Sequence, residues 1–152
     1  MSLEKDIHQP KFKSEYQKAR VNLIFTYNWV MEQSRKFFEK ADLTPQQFNI
    51  LRILRGASPK PLSTLQIRER MLEKMSDTSR IVDRLIAKGF VKKLTCKKDR
   101  RLVDVIISEK GTRLLEKMEV RQEEMDAVLK NLSEKDANIL SDLLDKIRDG
   151  GE

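Results

Sequence analysis

At Gly89 the apolar rhythm of the chain changes, and this switch constrains the fold more than any other feature. Up to Lys88 the hydrophobic residues recur at helical spacing. After Gly89, "FVKKLT" and "RLVDVII" alternate apolar with polar. A spacing near 3.6 turns one face of a helix inward, whereas a spacing of two turns one face of a strand inward. The glycine stands where a helix takes its left-handed C-terminal residue. The two alternating runs flank "CKKDR" and read as a two-stranded hairpin.

The segments before the switch carry their own start signals. Thr44, with Pro45 next and Gln47 three positions on, is a capping box that opens a helix to about Arg55. "GASPKP" (Gly56 to Pro61) ends it. Ser63 with Gln66 opens another, to about Leu72, and a further helix begins near Ser76 with Thr78, Ile81, Val82 and Leu85 on its inner face. After the hairpin, Ser108 caps a long helix through about residue 131. Ser133, with Asp136 three on, opens a last helix carrying Ile139, Leu140, Leu143, Leu144 and Ile147. The expected fold is therefore mainly α with a small β-hairpin: a winged helix-turn-helix domain over 43–113.

The flanks, 1–42 and 114–152, read as a helical dimerisation region. Residues 12–41 contain no Gly or Pro and form one long helix, in which "VNLIFTYNWVM" (Val21 to Met31) is apolar all round. A helix that is apolar on every side must be covered on every side. In a chain of 152 residues that asks for a second subunit, so a homodimer is expected.

Charge narrows the partner. Residues 1–60 carry 11 cations and 6 anions, residues 61–113 carry 14 and 7, and residues 114–152 carry 6 and 11. A basic centre beside an acidic tail points to a polyanion on one face. The chain has no apolar run long enough for a membrane span, and "MSLEKDIHQPK" lacks the apolar core of a secretory leader. One cysteine, Cys96, excludes an intrachain disulfide, and one histidine, His8, excludes a His-rich metal site. No metal, cofactor or catalysis is expected, since Gly-rich phosphate loops and His-based triads are also missing. The expected setting is the reducing cytoplasm.

The candidate contacts lie on the helix before the switch and on the hairpin tip. Opposite the inner face of that helix stand Ser76, Asp77, Arg80, Asp83 and Arg84, with Ser79 on the flank. Ser and Arg reach base edges, and a helix N-terminus favours phosphate. An ordinary solvated helix would also have a polar outer face, but it would not need a finger bearing Lys97, Lys98, Arg100 and Arg101. Such tips touch phosphates or enter the minor groove, and Asp99 can hold one guanidinium in a fixed fork.

These residues resemble the MarR family of bacterial winged-helix regulators. The resemblance is carried by "LTPQQFNILRIL" (43–54), "PLSTLQIRERM" (61–71), "MSDTSRIVDRLIAKGFV" (75–91) and "KKDRRLVDVIISEKG" (97–111). It implies a homodimer whose first, fifth and sixth helices interlock and whose two winged domains bind double-stranded DNA at a near-palindromic operator. It carries DNA contact to Ser76, Asp77, Ser79, Arg80 and Arg84 on the helix and to Asp99 and Arg101, with Arg100 between them, in the wing. Lys97 and Lys98 join the wing contacts, and Ser63 and Thr64, at a helix start, are expected on phosphate.

The resemblance also implies release of DNA by a small aromatic ligand. Eight of the nine aromatic residues precede residue 50, and Tyr27, Trp29 and Phe48 are the candidate ligand contacts, with core and dimer packing as the competing use. Cys96, beside Lys97 and Lys98, is expected to be a bystander. Two other readings of the same basic winged helix are a sequence-tolerant DNA-bending protein and a protein-interaction module.

Overall fold

Two capping boxes open helices where the chain predicts them. In the computed structural model, which describes residues 2–95 and 103–149, Thr44 and Gln47 exchange both bonds of the capping box at the head of Pro45–Ala57 (α3). Ser63 and Gln66 do the same for Thr64–Arg70 (α4). Short α1 spans Leu3–Asp6 and the long α2 spans Glu15–Glu39. Thr78–Ala87 is α5. Strands β2 (Val91–Thr95) and β3 (Val103–Ile107) are antiparallel, with Val91 opposite Ile107 and Lys93 opposite Val105.

One strand goes beyond the expected hairpin. Leu62–Ser63 (β1) pairs with β3, Leu62 opposite Val105 and Ser63 opposite Asp104, to give a three-stranded sheet of order β1-β3-β2. A pair of residues has no visible period, so it cannot be read from the chain.

The segment after β3 also differs from expectation. The single long helix to residue 131 is three pieces: α6 (Glu109–Glu119), α7 (Gln122–Asp126) and a 3-10 turn, Ala127–Leu129. No Gly or Pro marks the break at Val120 and Arg121. There the Arg121 guanidinium stands 5.1 Å over the Phe37 ring and pairs with Glu124. The first contact is set by tertiary placement, while the second is local, three residues apart. The last helix, α8 (Glu134–Arg148), has Ser133 as its cap, as expected.

The chain divides into two compact units, Phe37–Met125 and a helical one made of 1–36 with 126–152. The first has the core: Ile50, Leu51, Leu62, Ile67, Leu85 and Leu115 are all wholly buried. Beside them Phe37, Phe38 and Phe48 pack edge to face at centroid distances of 5.3 to 6.3 Å, the favoured geometry for aromatic quadrupoles.

The helical unit is the opposite case. Among its described residues Leu3 is the one buried hydrophobic side chain. Ile24, Tyr27, Leu143 and Ile147 are each more than half exposed, and α8 buries nothing.

Candidate nucleic-acid interface

The helix that carries the candidate contacts is fixed at both ends. At its head the N-cap is Asp77, whose carboxylate accepts from Arg80 N at 3.2 Å. Thr78 is buried and turns its hydroxyl to the Met71 sulfur at 3.4 Å. At its tail Gly89 takes a φ of +78°, the conformation its lack of Cβ permits. Lys88 Nζ lies 3.0 Å from Asp42 Oδ2, and Lys110 Nζ donates to the Lys88 carbonyl at 2.8 Å.

A further knot holds β2 to α6. Ser108, almost fully buried, accepts from Gly111 N at 3.0 Å and donates to the Gly89 carbonyl at 2.7 Å. A Cβ on Gly111 would stand 2.4 Å from the Phe90 carbonyl oxygen, so the approach of α6 to this strand requires glycine.

On this fixed helix Ser79, Arg80, Asp83 and Arg84 are exposed. Asp83 is engaged by Lys93 of β2 at 3.4 Å, which removes an anion from the face. Neither Arg80 nor Arg84 has an ion-pair partner among the described residues. Both arginines border a polar cleft of about 320 Å³ between the head of α3 and α5, with Gln46, Glu73 and Asp77. A helix face with two unneutralised guanidiniums, spaced four residues apart, can bind base acceptors or phosphates.

Other candidates sit differently. Ser76 lies outside the helix, half-buried, and its hydroxyl donates to the Glu73 carbonyl at 2.9 Å; it shapes the turn. Asp77 is a cap, and Ser63 spends its oxygen on Gln66 N at 3.2 Å. Thr64, half-buried, is the first residue of α4. Lys97, Lys98, Asp99, Arg100 and Arg101, with Cys96, lie outside the described residues.

The three candidate ligand contacts do not share one kind of environment. Phe48 is buried in the aromatic cluster, with Arg52 stacked 5.8 Å from its centroid, so it is core. Tyr27 is 60% exposed, and Trp29 lines a cleft of about 410 Å³ with Phe25, Asn22 and Lys18. Lys92 and Lys93 of β2 are exposed cations that the sequence reading passed over; their only signal is the polar position of each in "VKKL".

Comparison with known proteins agrees with this geometry. The model of the MarR family matches residues 43–103. The chain is 26% identical over 131 residues to the HTH-type transcriptional regulator MhqR of Bacillus subtilis (strain 168), covering 86% of this chain and 89% of that protein. Among solved structures, a MarR transcription factor from Planctomyces limnophilus is 30% identical with a TM-score of 0.69, over 89% of this chain and 98% of that one. A mutant MarR from E. coli complexed with operator DNA shares the fold, with a TM-score of 0.76, 21% identity, and coverage of 97% of this chain and 99% of its own.

Proposed function

This chain belongs to the MarR family of transcription regulators, and from that premise we propose that it is a homodimeric, sequence-specific DNA-binding repressor modulated by a small aromatic ligand. The family consists of transcription regulators, not enzymes. The observation that carries the proposal is α5: capped at Asp77, closed at Gly89, and presenting Arg80 and Arg84 without acidic partners among the described residues.

The helical unit supports the dimer reading. Apolar side chains such as Ile24, Leu143 and Ile147 are more than half exposed among the described residues, and burying them would return roughly 25 cal/mol for each Å² removed from water. No helix among the described residues is long and apolar enough to cross a membrane, so a second copy is the proposed cover. Two copies related by a twofold axis would present two α5 helices to successive major grooves, about 34–36 Å apart on B-DNA. The wing cations Lys97, Lys98, Arg100 and Arg101 would sit on the phosphates or minor groove beside each half-site, with Asp99 aiming one arginine. A ligand held near Tyr27 and Trp29 would change the spacing of the two helices and weaken binding through a coupling free energy. The action is placed in the cytoplasm, where the chromosome is.

The test is an in vitro selection from random duplexes with the purified full chain, followed by titration of the winning duplex. A regulator prefers its site by about 10³-fold or more over random DNA, and its affinity falls steeply with salt as counterions are released. Equal binding to random DNA would replace this reading with a DNA-bending protein, and salt-insensitive binding would point to a protein partner.

A further inference from the structure

The turn between α4 and α5 carries two bare apolar side chains. Leu72 and Met75 are each 89% exposed, more than any other large hydrophobic residue among the described residues of the Phe37–Met125 unit. Single exposed aliphatic groups are ordinary, but these two stand in one short turn whose backbone is pinned on several sides. Asn49 Oδ1 accepts from Leu72 N at 2.9 Å, Ser76 Oγ donates to the Glu73 carbonyl at 2.9 Å, and Lys74 Nζ donates to the Glu69 carbonyl. Gln46 Nε2 also holds the Glu73 carboxylate at 2.7 Å.

Neither side chain does the structural work its position offers. An apolar residue just past a helix C-cap commonly packs back on the last turn. Leu72 follows the C-cap Met71, yet Met71 is the one that is buried. An apolar residue ahead of an N-cap can staple to the fourth helical residue. Here that neighbour of Asp77 is Ser76, and Met75 stands one further out, in solvent. A rigid turn thus displays two apolar groups next to the head of the helix that bears Ser79, Arg80 and Arg84.

We propose that Met75 and Leu72 are specificity-determining residues that read thymine C5-methyl groups in the major groove of the operator half-site. This rests on the DNA-binding reading given above. The methyl is the one apolar group on the major-groove edge of a base pair, and apolar side chains recognise it. The thioether of Met75 is flexible and polarizable enough to fit it. The sequence segment 61–113 carries 14 cations against 7 anions, so a duplex is the partner that this part of the chain attracts, and the apolar pair supplies sequence information that charge cannot.

The experiment replaces each thymine of the selected duplex, in turn, by deoxyuridine, which deletes the methyl alone. Wild-type chain should lose about fourfold in affinity at one or two thymines of each half-site, the worth of roughly one buried methyl. Met75→Ala or Leu72→Ala should bind the thymine duplex correspondingly less well, with unchanged helicity. The variant should then show no further loss at the thymine it reads. Wild-type binding that is indifferent to uridine at every position, or additive losses in both variants, overturns the inference and leaves the DNA-binding reading intact. Failure to select any duplex overturns both.

Discussion

The buried hydroxyl of Ser108 joins Gly89 to Gly111: it donates to the carbonyl of the first at 2.7 Å and accepts from the amide of the second at 3.0 Å. One oxygen therefore caps α6 and holds the residue that ends α5. The start of β2, the end of α5 and the head of α6 share this point, so a change here reaches the exposed arginine face of α5 through the backbone.

Ser108→Ala should destabilise the chain by about 1–2 kcal/mol, the cost of a lost N-cap and an unpaired buried carbonyl. Urea denaturation followed by circular dichroism measures it. Ser108→Thr, which keeps the oxygen, should recover most of the loss.

The glycines at 111 and 56 should respond in opposite directions to alanine. Gly111→Ala forces a methyl against the Phe90 carbonyl and should cost at least about 1–3 kcal/mol, as overpacking does. Gly56 lies in α3 with nothing within 4 Å of an added Cβ. Gly56→Ala should therefore stabilise by about 0.5–1 kcal/mol through helix propensity. Paired thermal melts decide the sign of each.

Arg84→Ala and Arg80→Ala should weaken operator binding by roughly 1–3 kcal/mol each if they read bases. If one of them contacts phosphate instead, its loss should lower the salt slope by about one. Melting temperature should not change, since both side chains are exposed and without an ion-pair partner among the described residues. Arg101→Ala should likewise reduce affinity with dimerisation intact, as a mobility-shift titration at fixed salt would show.

A charge in the helical unit should break the proposed dimer. Leu143→Asp or Ile147→Asp places a carboxylate on the bare face of α8, where both residues are more than half exposed in the single chain. Sedimentation should show monomer, and the dependence of melting temperature on chain concentration, expected for a dimer, should disappear. Unchanged assembly would move the interface elsewhere.

Acid should loosen the contact between α3 and α6. The hydrogen bond from Arg55 holds the Glu119 carboxyl below its ordinary value of 4.5. A depressed carboxylate stabilises the fold above the unfolded value and loses that contribution as pH falls through the folded one. The loss therefore begins near pH 4.5 and deepens below it. Glu119 is at the surface, so the effect is small. Glu119→Gln should flatten that part of the stability profile, which urea titrations between neutral pH and pH 3 would resolve.

What the sequence determined by itself was carried by partners within four residues. The capping boxes at Thr44 and Ser63, the caps at Ser108 and Ser133, and the left-handed Gly89 are short-range bonds or local backbone preferences. The switch in period then arranged these pieces as helix-turn-helix and hairpin, and the cations between 61 and 113 indicated the kind of partner. Only the tertiary structure decided the rest. Leu62–Ser63 became a strand because β3 offered it a free edge. Phe48 became core because Phe37 and Phe38 closed over it. Asp83 was paired with Lys93, ten residues away, while Arg80 and Arg84 have no ion-pair partner among the described residues. These outcomes depend on which surfaces meet after distant segments pack, and no spacing along the chain encodes that meeting.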